Sequence, residues 1–296
     1  MTQRQLFLGI DGGGTKCSAR IVDAENRVVG EGRAGPANSR LGIDRAFHEI
    51  EKAAAAALAD AGAESDDLSR LHAGVGLAGL SLQSDLEKAA AQPHPFASLA
   101  IDTDAFVACL GAHGGEDGGI LVLGTGSCGC GLLNGETVTV GGWGFLLADH
   151  GSGASVGHRA VRASLLAHDG VTALSDLSRQ VLSKFDGSPE KAVLWAAEAK
   201  PADFAELAPT VAEHAEADDP TACDLMRKTG EDASILIRAL ARKGLTRIAL
   251  VGGFSPALRP WLAEDVRPLL VEPRGDALDG ALILARRGLA QQEARP

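Results

Sequence analysis

Residues 6–23 read LFLGIDGGGTKCSARIVD. An apolar run ends in Asp11, three glycines and Thr15-Lys16 follow, and alternation resumes at Cys17. A strand period on both sides of the glycines predicts two antiparallel strands joined by a glycine turn. Asp23-Ala-Glu-Asn26 then reads as a second turn and RVVGEGR as a third alternating segment, so residues 6–33 predict three antiparallel strands. Without a Cβ, the backbone N–H groups of a glycine turn can approach an anion closely. Two familiar phosphate loops do not fit. A Walker loop counted from Gly9 has Thr15 where lysine belongs, and a strand follows where a helix should begin. The letters GxGxxG occur at Gly74, Gly76, Gly79 and again at Gly124, Gly126, Gly129. The first set lies within a strand and the second leads into a hairpin, and 37 glycines make chance matches common.

Working outward, IDRAFHEIEKAAAAALADAG places Ile43, Phe47, Ile50, Ala54, Ala57 and Leu58 on one helical face, with Gly62 as the stop. Residues 71–80 read as a buried strand, SLQSDLEKAAAQ as a helix opened by Ser81, and SLAIDTDA as a strand passing into a helix through Asp102, Thr103 and Asp104. The opening pattern then recurs. GILVLGTGSCGCGLLNGETVTVGG (119–142) is an apolar run, a Gly/Thr/Ser turn, a second strand, an Asn-Gly hairpin signal and a third strand. Residues 151–243 are mainly helical, with starts at Ser188-Pro189 and Asp219-Pro220 and stops at Gly170, Gly187 and Gly244. TRIALVGG is a buried strand ending in paired glycines, and DALDGALILARRGLAQQ a final helix. The expectation is an internally duplicated α/β chain with a cleft between two lobes, residues 1–117 and 118–296. A helical insertion over about 151–243 falls in the second, with the last helix free to pack back on the first.

Composition narrows the function classes. Lys+Arg total 28 against 39 Asp+Glu, a net charge of −11, with no basic cluster, which disfavours nucleic acid as a partner. The opening MTQRQ is followed by an apolar run too short for a signal peptide. Residues 118–135 are uncharged but rich in glycine, so no membrane span is expected. Five cysteines, an odd number, suit reduced thiols in a cytoplasm. Cys128 and Cys130 form a CxC with no further ligands close in sequence, which reads as small buried side chains rather than zinc.

The motifs IDGGGTK, VLGTGS and LVGGF resemble the first phosphate, second phosphate and adenosine motifs of the sugar kinase, heat-shock protein 70 and actin superfamily. More narrowly, ANSRLG, HPFASLAIDTDAFVACLGAH, GTGSCG, GGWGFLLADHGSGA and GDALDGAL look like the glucosamine kinase and N-acetylglucosamine kinase group of the BadF/BadG-type ATPases. The resemblance implies two ribonuclease H-like lobes (the actin-like ATPase fold), an amino-sugar acceptor, ATP, Mg2+ and a cytoplasmic homodimer. By it, Gly12, Gly13, Gly14, Thr15 and Lys16 face one phosphate, and Gly124, Thr125, Gly126 and Ser127 another. Gly252, Gly253, Asp276 and Gly280 lie toward the nucleoside end, and Asp11 holds magnesium through water.

Asp104 matches the group's catalytic aspartate, the base that takes the proton of the sugar 6-OH, and a helix N-terminus is expected to favour its ionised form. The structural alternative is that Asp104 is a first-turn acid behind an Asp102 or Thr103 cap. Asn38, Thr125, Trp143 and Asp149 match sugar-contacting positions; Asn38 also reads as a turn former, Asp149 as an N-cap and Trp143 as core. Cys128 departs from the GTGSN of N-acetyl kinases. A thiol hydrogen-bonds an acetamido group poorly, so free D-glucosamine is the expected substrate, with Asp104 or Asp149 to attract its ammonium. A sugar-sensing regulator, an iron–sulfur ATPase activator and a filament former are the rivals on the same fold. The first would need an N-terminal helix-turn-helix, for which the five residues before the first strand leave no room.

Overall fold

The structure is a computed structural model that describes residues 5–80 and 82–294. The chain divides into two compact units. One contains Met1–Gly118, Leu132–Thr137 and Glu272–Pro296, the other Gly119–Gly131 and Val138–Val271.

In the first unit the quoted stretch forms β1 (Leu6–Gly12) and β2 (Cys17–Val22), antiparallel, with Gly12 opposite Cys17 across the glycine turn; β3 (Val28–Ala34) completes the meander. The chain continues through α1 (Ile43–Asp60), β4 (Leu71–Leu77), α2 (Gln83–Ala90), β5 (Ser98–Thr103) and α3 (Asp104–His113). β4 and β5 join parallel to β1, giving the order β3-β2-β1-β4-β5. The apolar stripe of α1, including Phe47, Ile50 and Leu58, buries against Leu8, Ile10, Ile21 and Val75 on one face of this sheet. Gly62, with φ +71°, follows α1 as its left-handed stop. Asp85 accepts from the Leu82 N–H at the start of α2, whereas Ser81 lies outside the described residues.

The second sheet begins with β6 (Gly118–Leu123), β7 (Ser127–Leu133) and β8 (Glu136–Gly141). Asn134 and Gly135 both have positive φ, 52° and 84°, as a two-residue hairpin whose twist matches its strands requires. Six helices follow: α4 (Gly153–His168), α5 (Asp176–Ser183), α6 (Pro189–Glu198), α7 (Pro201–Ala205), α8 (Ala208–Glu216) and α9 (Pro220–Arg242). Ser188 and Asp219 cap α6 and α9 with proline at the first helical position. The chain then returns through β9 (Ile248–Val251), α10 (Ser255–Leu258) and β10 (Leu270–Val271). The order β8-β7-β6-β9-β10 repeats β3-β2-β1-β4-β5 strand for strand, so the duplication read in the sequence is a duplication of topology.

α11 (Ala277–Glu293) belongs to the first unit, on the sheet face away from α1. Glycines make its approach possible. A Cβ on Gly9 would lie 2.6 Å from the Leu278 carbonyl oxygen, and one on Gly74 would run into that of Ala281. Against α3 the packing is closer still, for a side chain on Gly280 would collide with the Val107 carbonyl and one on Gly111 with that of Asp276.

Candidate functional site

In an open α/β sheet, ligands gather at the carboxyl ends of the parallel strands. In the first unit the register puts Asp11, Gly76 and Asp102 in one row across β1, β4 and β5, and Gly12, Leu77 and Thr103 in the next. The segments just beyond are the glycine turn, Ala78-Gly79 and Asp104. Ala78 N–H donates to the Gly12 carbonyl at 2.8 Å, and Ala37 N–H to that of Gly13 at 3.0 Å. Gly13 N–H closes the turn onto the Lys16 carbonyl at 3.0 Å, leaving Gly14, Thr15 and Lys16 exposed. Asn38 bridges to Ala78, its Oδ1 accepts from Arg40 N–H at 2.9 Å, and its Nδ2 lies 3.7 Å from where a Gly14 Cβ would be. Its turn-forming role is therefore real, and it faces the glycine turn as well.

Asp104 is the first residue of α3, not its cap: Thr103 Oγ1 accepts from Phe106 N–H at 3.1 Å and fills that role. Asp104 is exposed at its surface, and its Oδ1 accepts from Ala105 N–H at 2.9 Å. The N–H groups at the helix start do favour its ionised form. Desolvation outweighs the hydrogen bonds from the Ala105 and Asp104 N–H groups and holds the carboxyl above its ordinary value. Asp11, half-buried, is also raised, first by desolvation and then by the carboxylates of Asp104 and Asp276, while Lys16 pulls it down.

Asp276 is the N-cap of α11. It exchanges hydrogen bonds with Asp279 at 2.9 Å each way, and both carboxylates meet the Arg20 guanidinium, which also binds Glu31. Arg20 belongs to no motif, and its one signal in the sequence is an opposite charge, Glu31, facing it across alternating strands. Asp11, Lys16, Arg20, Glu31, Arg33 and Asp276 line a depression of about 230 Å³. Arg20→Ala leaves three clustered carboxylates without their cation and should destabilise the fold by roughly 1–2 kcal/mol, read from thermal unfolding.

In the second unit β6 and β9 are parallel, with Val122 opposite Val251, so Gly124 and Gly253 each lie two residues beyond that row. Phe254 N–H donates to the Leu123 carbonyl at 3.0 Å, locking the two turns together. The start of α4 pins the first of them: Gly153 N–H donates to the Gly124 carbonyl at 2.8 Å and Ala154 N–H to that of Thr125 at 3.1 Å. Asp149, buried and with φ 60°, accepts from Ser127 N–H at 3.3 Å, while Ser127 Oγ donates to the His150 carbonyl at 2.7 Å. Asp149 is not the cap of α4; Ser152 is, through Ser155 N–H. Trp143 is 74% exposed, which removes the core reading. Cys130 is buried and Cys128 half-buried, the latter beneath Gly142.

Three glycines stand apart from the rest. Most have a positive φ or a neighbour that a side chain would strike: Gly252 has φ +99° and abuts Leu123, Gly126 abuts Asp149, and Gly280 abuts α3. At Gly14 the nearest atom is 3.7 Å from a built Cβ, at Gly124 and Gly253 nothing lies within 4 Å, and none of the three has a left-handed φ. One comes from each of the three glycine motifs. Neither conformation nor packing asks for glycine there.

Residues 8–285 match the BadF/BadG/BcrA/BcrD ATPase family. The glucosamine kinase GspK of Vibrio cholerae serotype O1 is 39% identical over 279 residues, 94% of this chain and 95% of that one. The N-acetyl-D-glucosamine kinase of Dictyostelium discoideum is 30% identical over 240 residues, 73% of each chain. A Chromobacterium violaceum crystal structure, provisionally assigned as an N-acetylglucosamine kinase, superposes with a TM-score of 0.87 at 37% identity, covering 95% of this chain and 99% of that one. A Streptomyces griseus ROK family glucokinase solved with glucose and AMPPNP shares the fold at 20% identity, with a TM-score of 0.52 over 96% and 99% of the two chains. With the two like-ordered sheets, these matches define an actin-like sugar kinase fold, and the chain belongs to the BadF/BadG/BcrA/BcrD ATPase family.

Proposed function

We propose that this protein is an ATP-dependent amino-sugar kinase that phosphorylates free D-glucosamine at O6, with Asp104 as the general base. The observation that carries the reading is the trio Gly14, Gly124 and Gly253, glycines with no conformational or packing cause in three turns at strand ends. Close approach of a ligand to the backbone explains them, and a nucleotide's phosphates and nucleoside are the ligand such turns suit. The extent of the likeness to the Vibrio cholerae glucosamine kinase supports the acceptor.

In this reading Gly12–Lys16 and Gly124–Ser127 hold the phosphates, Gly252 and Gly253 lie toward the adenosine, and Asn38, Thr125, Trp143 and Asp149 orient the sugar. Asp276 and Gly280 act at the nucleotide end mainly by fixing the start of α11. Phosphoryl transfer needs positioning and charge stabilisation more than covalent help, so the essential acts are holding the 6-OH in line and accepting its proton. Asp104 presents an accessible carboxylate held above its usual value, which makes it a better acceptor than an ordinary aspartate once ionised.

Magnesium bound with the nucleotide supplies charge neutralisation on the phosphates. Asp11 fits a water-mediated contact to it, since its carboxylate is crowded by Asp104 and Asp276 and a cation relieves that repulsion. Among the described residues no group of three or more His, Cys, Asp or Glu is arranged to hold a metal ion. Among the described residues no helix is long and apolar enough to cross a membrane. We place the enzyme in the cytoplasm as a homodimer.

Initial rates with ATP on glucosamine, N-acetylglucosamine and glucose test the acceptor. The kcat/KM for glucosamine should exceed the others by about tenfold or more, because Cys128 offers the acetamido group no good partner. A preference for the acetylated sugar would move the enzyme to the activity of its Dictyostelium relative.

A further inference from the structure

The helical part of the second unit holds a groove that the proposed reaction does not use. It measures about 630 Å³ and runs between α4 and α6, with Phe204 of α7 and Phe145 and Leu146 of the 142–150 loop in its walls. On α4 the lining residues His158, Val161, Arg162 and Leu165 recur at helical spacing and form one stripe. Facing them along α6 come Ala192, Ala196 and Ala199, four and three residues apart, whose short side chains leave the trough open. Part of its apolar wall is bare, for Val193 is 64% and Leu146 92% exposed.

The groove's charge is one-sided. Its polar side chains are His158, Arg162 and Lys200, with no carboxylate, in a chain of net charge −11. Neighbouring cations are engaged elsewhere: Arg159 pairs with Asp232 at 2.6 Å, Lys184 with Glu206 and Lys191 with Asp186. Arg162 and the Lys200 ammonium enter no ion pair among the described residues, and Asp203, beside them, accepts from the Lys200 backbone N–H at 2.6 Å. The His158 ring meets Phe204 of α7 edge-on at 5.3 Å, Lys200 immediately precedes α7, and Arg162 lies one turn along α4 from His158. The bases therefore gather toward α7, while Leu165, Ala192 and Val193 line the remainder. An apolar trough with unpaired cations at one end is complementary to a molecule that is apolar along its length and acidic at its head.

We infer that this groove binds an amphipathic carboxylate, its head on Arg162 and Lys200 and its tail laid between α4 and α6. From Ala199 to Ala192 the helix spans about 10 Å, the reach of an unbranched tail of about eight carbons. The 142–150 loop gives occupancy a consequence. Phe145 and Leu146 lie between Trp143 and Asp149, which are assigned above to the sugar. On that assignment, a tail covering Leu146 orders the loop before the sugar arrives and tightens sugar binding.

Isothermal titration calorimetry of the full chain with sodium decanoate tests the site. One decanoate should bind per chain, and affinity should fall by about twofold or more for each methylene removed toward hexanoate. Decyltrimethylammonium, the same tail with the opposite charge, should not bind. Arg162→Glu combined with Lys200→Glu should weaken decanoate by about tenfold or more. Ala196→Trp, which fills the trough from an exposed position, should abolish binding. Lys243→Glu, a like change of charge on an exposed residue outside the groove, should change nothing. Circular dichroism melting checks each variant, and either groove variant alone carries the test if the other fails to fold. Saturating decanoate should lower the KM for glucosamine by about threefold in the wild type and leave Ala196→Trp unaffected. Decanoate that binds no better than decyltrimethylammonium, or equally well to Ala196→Trp, overturns the site, as does a groove sealed by a second copy, which would give no binding heat. Binding that leaves the KM unchanged overturns the link to the loop. A chain that phosphorylates no sugar overturns the kinase reading instead, and the calorimetry still decides the groove.

Discussion

Asp104→Asn is expected to lower kcat for glucosamine phosphorylation by about 10²- to 10⁴-fold, the span a positioned general base contributes, with much smaller changes in the KM for sugar and ATP. The substitution keeps the shape and the hydrogen bond from Ala105 N–H, and Thr103 rather than Asp104 caps α3, so the melting temperature should barely move. The pH profile gives an independent reading. A base works only when ionised, and desolvation by the surrounding protein holds the Asp104 carboxyl above its ordinary value. Activity should therefore be lost as pH falls through that raised pKa, and the acid limb of kcat/KM should lie at higher pH than an ordinary aspartate would give. In Asp104→Asn the limb should vanish from whatever rate remains. Near wild-type turnover in the variant would remove Asp104 from the chemistry and leave it the first-turn acid of a helix.

The hairpins were legible because alternation has period two and glycine clusters interrupt it cleanly, and the recurrence of that pattern corresponds to two sheets of the same strand order. What the sequence could not decide was which of several adjacent polar residues does a given task. Asp102, Thr103 and Asp104 are all competent caps, and the choice falls to Thr103 only because its hydroxyl reaches Phe106 N–H. Asp149 and Ser152 pose the same ambiguity, resolved by a left-handed backbone at Asp149 that turns its carboxylate onto Ser127. Trp143 could be core or surface on composition alone, since burial of one aromatic in a glycine-rich loop depends on what lies over it. β10, two residues long, carries too little pattern to be seen. The seat of α11 also has a signal in the sequence: Gly9 in β1 and Gly74 in β4 mark a sheet face that this helix approaches closely, while Gly76, two residues on, makes room for Val107 of α3.

Glycine substitution separates the ligand-facing positions from the structural ones, and the two groups should respond in opposite ways. Gly124→Ala places a methyl group where nothing lies within 4 Å and where the backbone is not left-handed, so stability should hold or rise slightly as the unfolded chain loses freedom. The same methyl stands where a phosphate would approach the backbone, so the KM for ATP should rise by about tenfold or more, with Gly253→Ala weaker in the same direction. Gly280→Ala is the reverse case. Its Cβ would collide with the Val107 carbonyl oxygen and lie 2.6 Å from Gly111 N, both rigid backbone, so α3 and α11 must separate. The cost should be about 3 kcal/mol or more, a large part of a domain's whole stability, seen as a marked fall in melting temperature. Whatever Gly280→Ala protein folds at low temperature should keep a nearly normal KM for ATP if the residue acts only by spacing the helices. Should Gly124→Ala leave the KM for ATP unchanged while Gly280→Ala raises it, the assignment of the two glycines would have to be exchanged, and the β6 turn would lose its claim on the nucleotide.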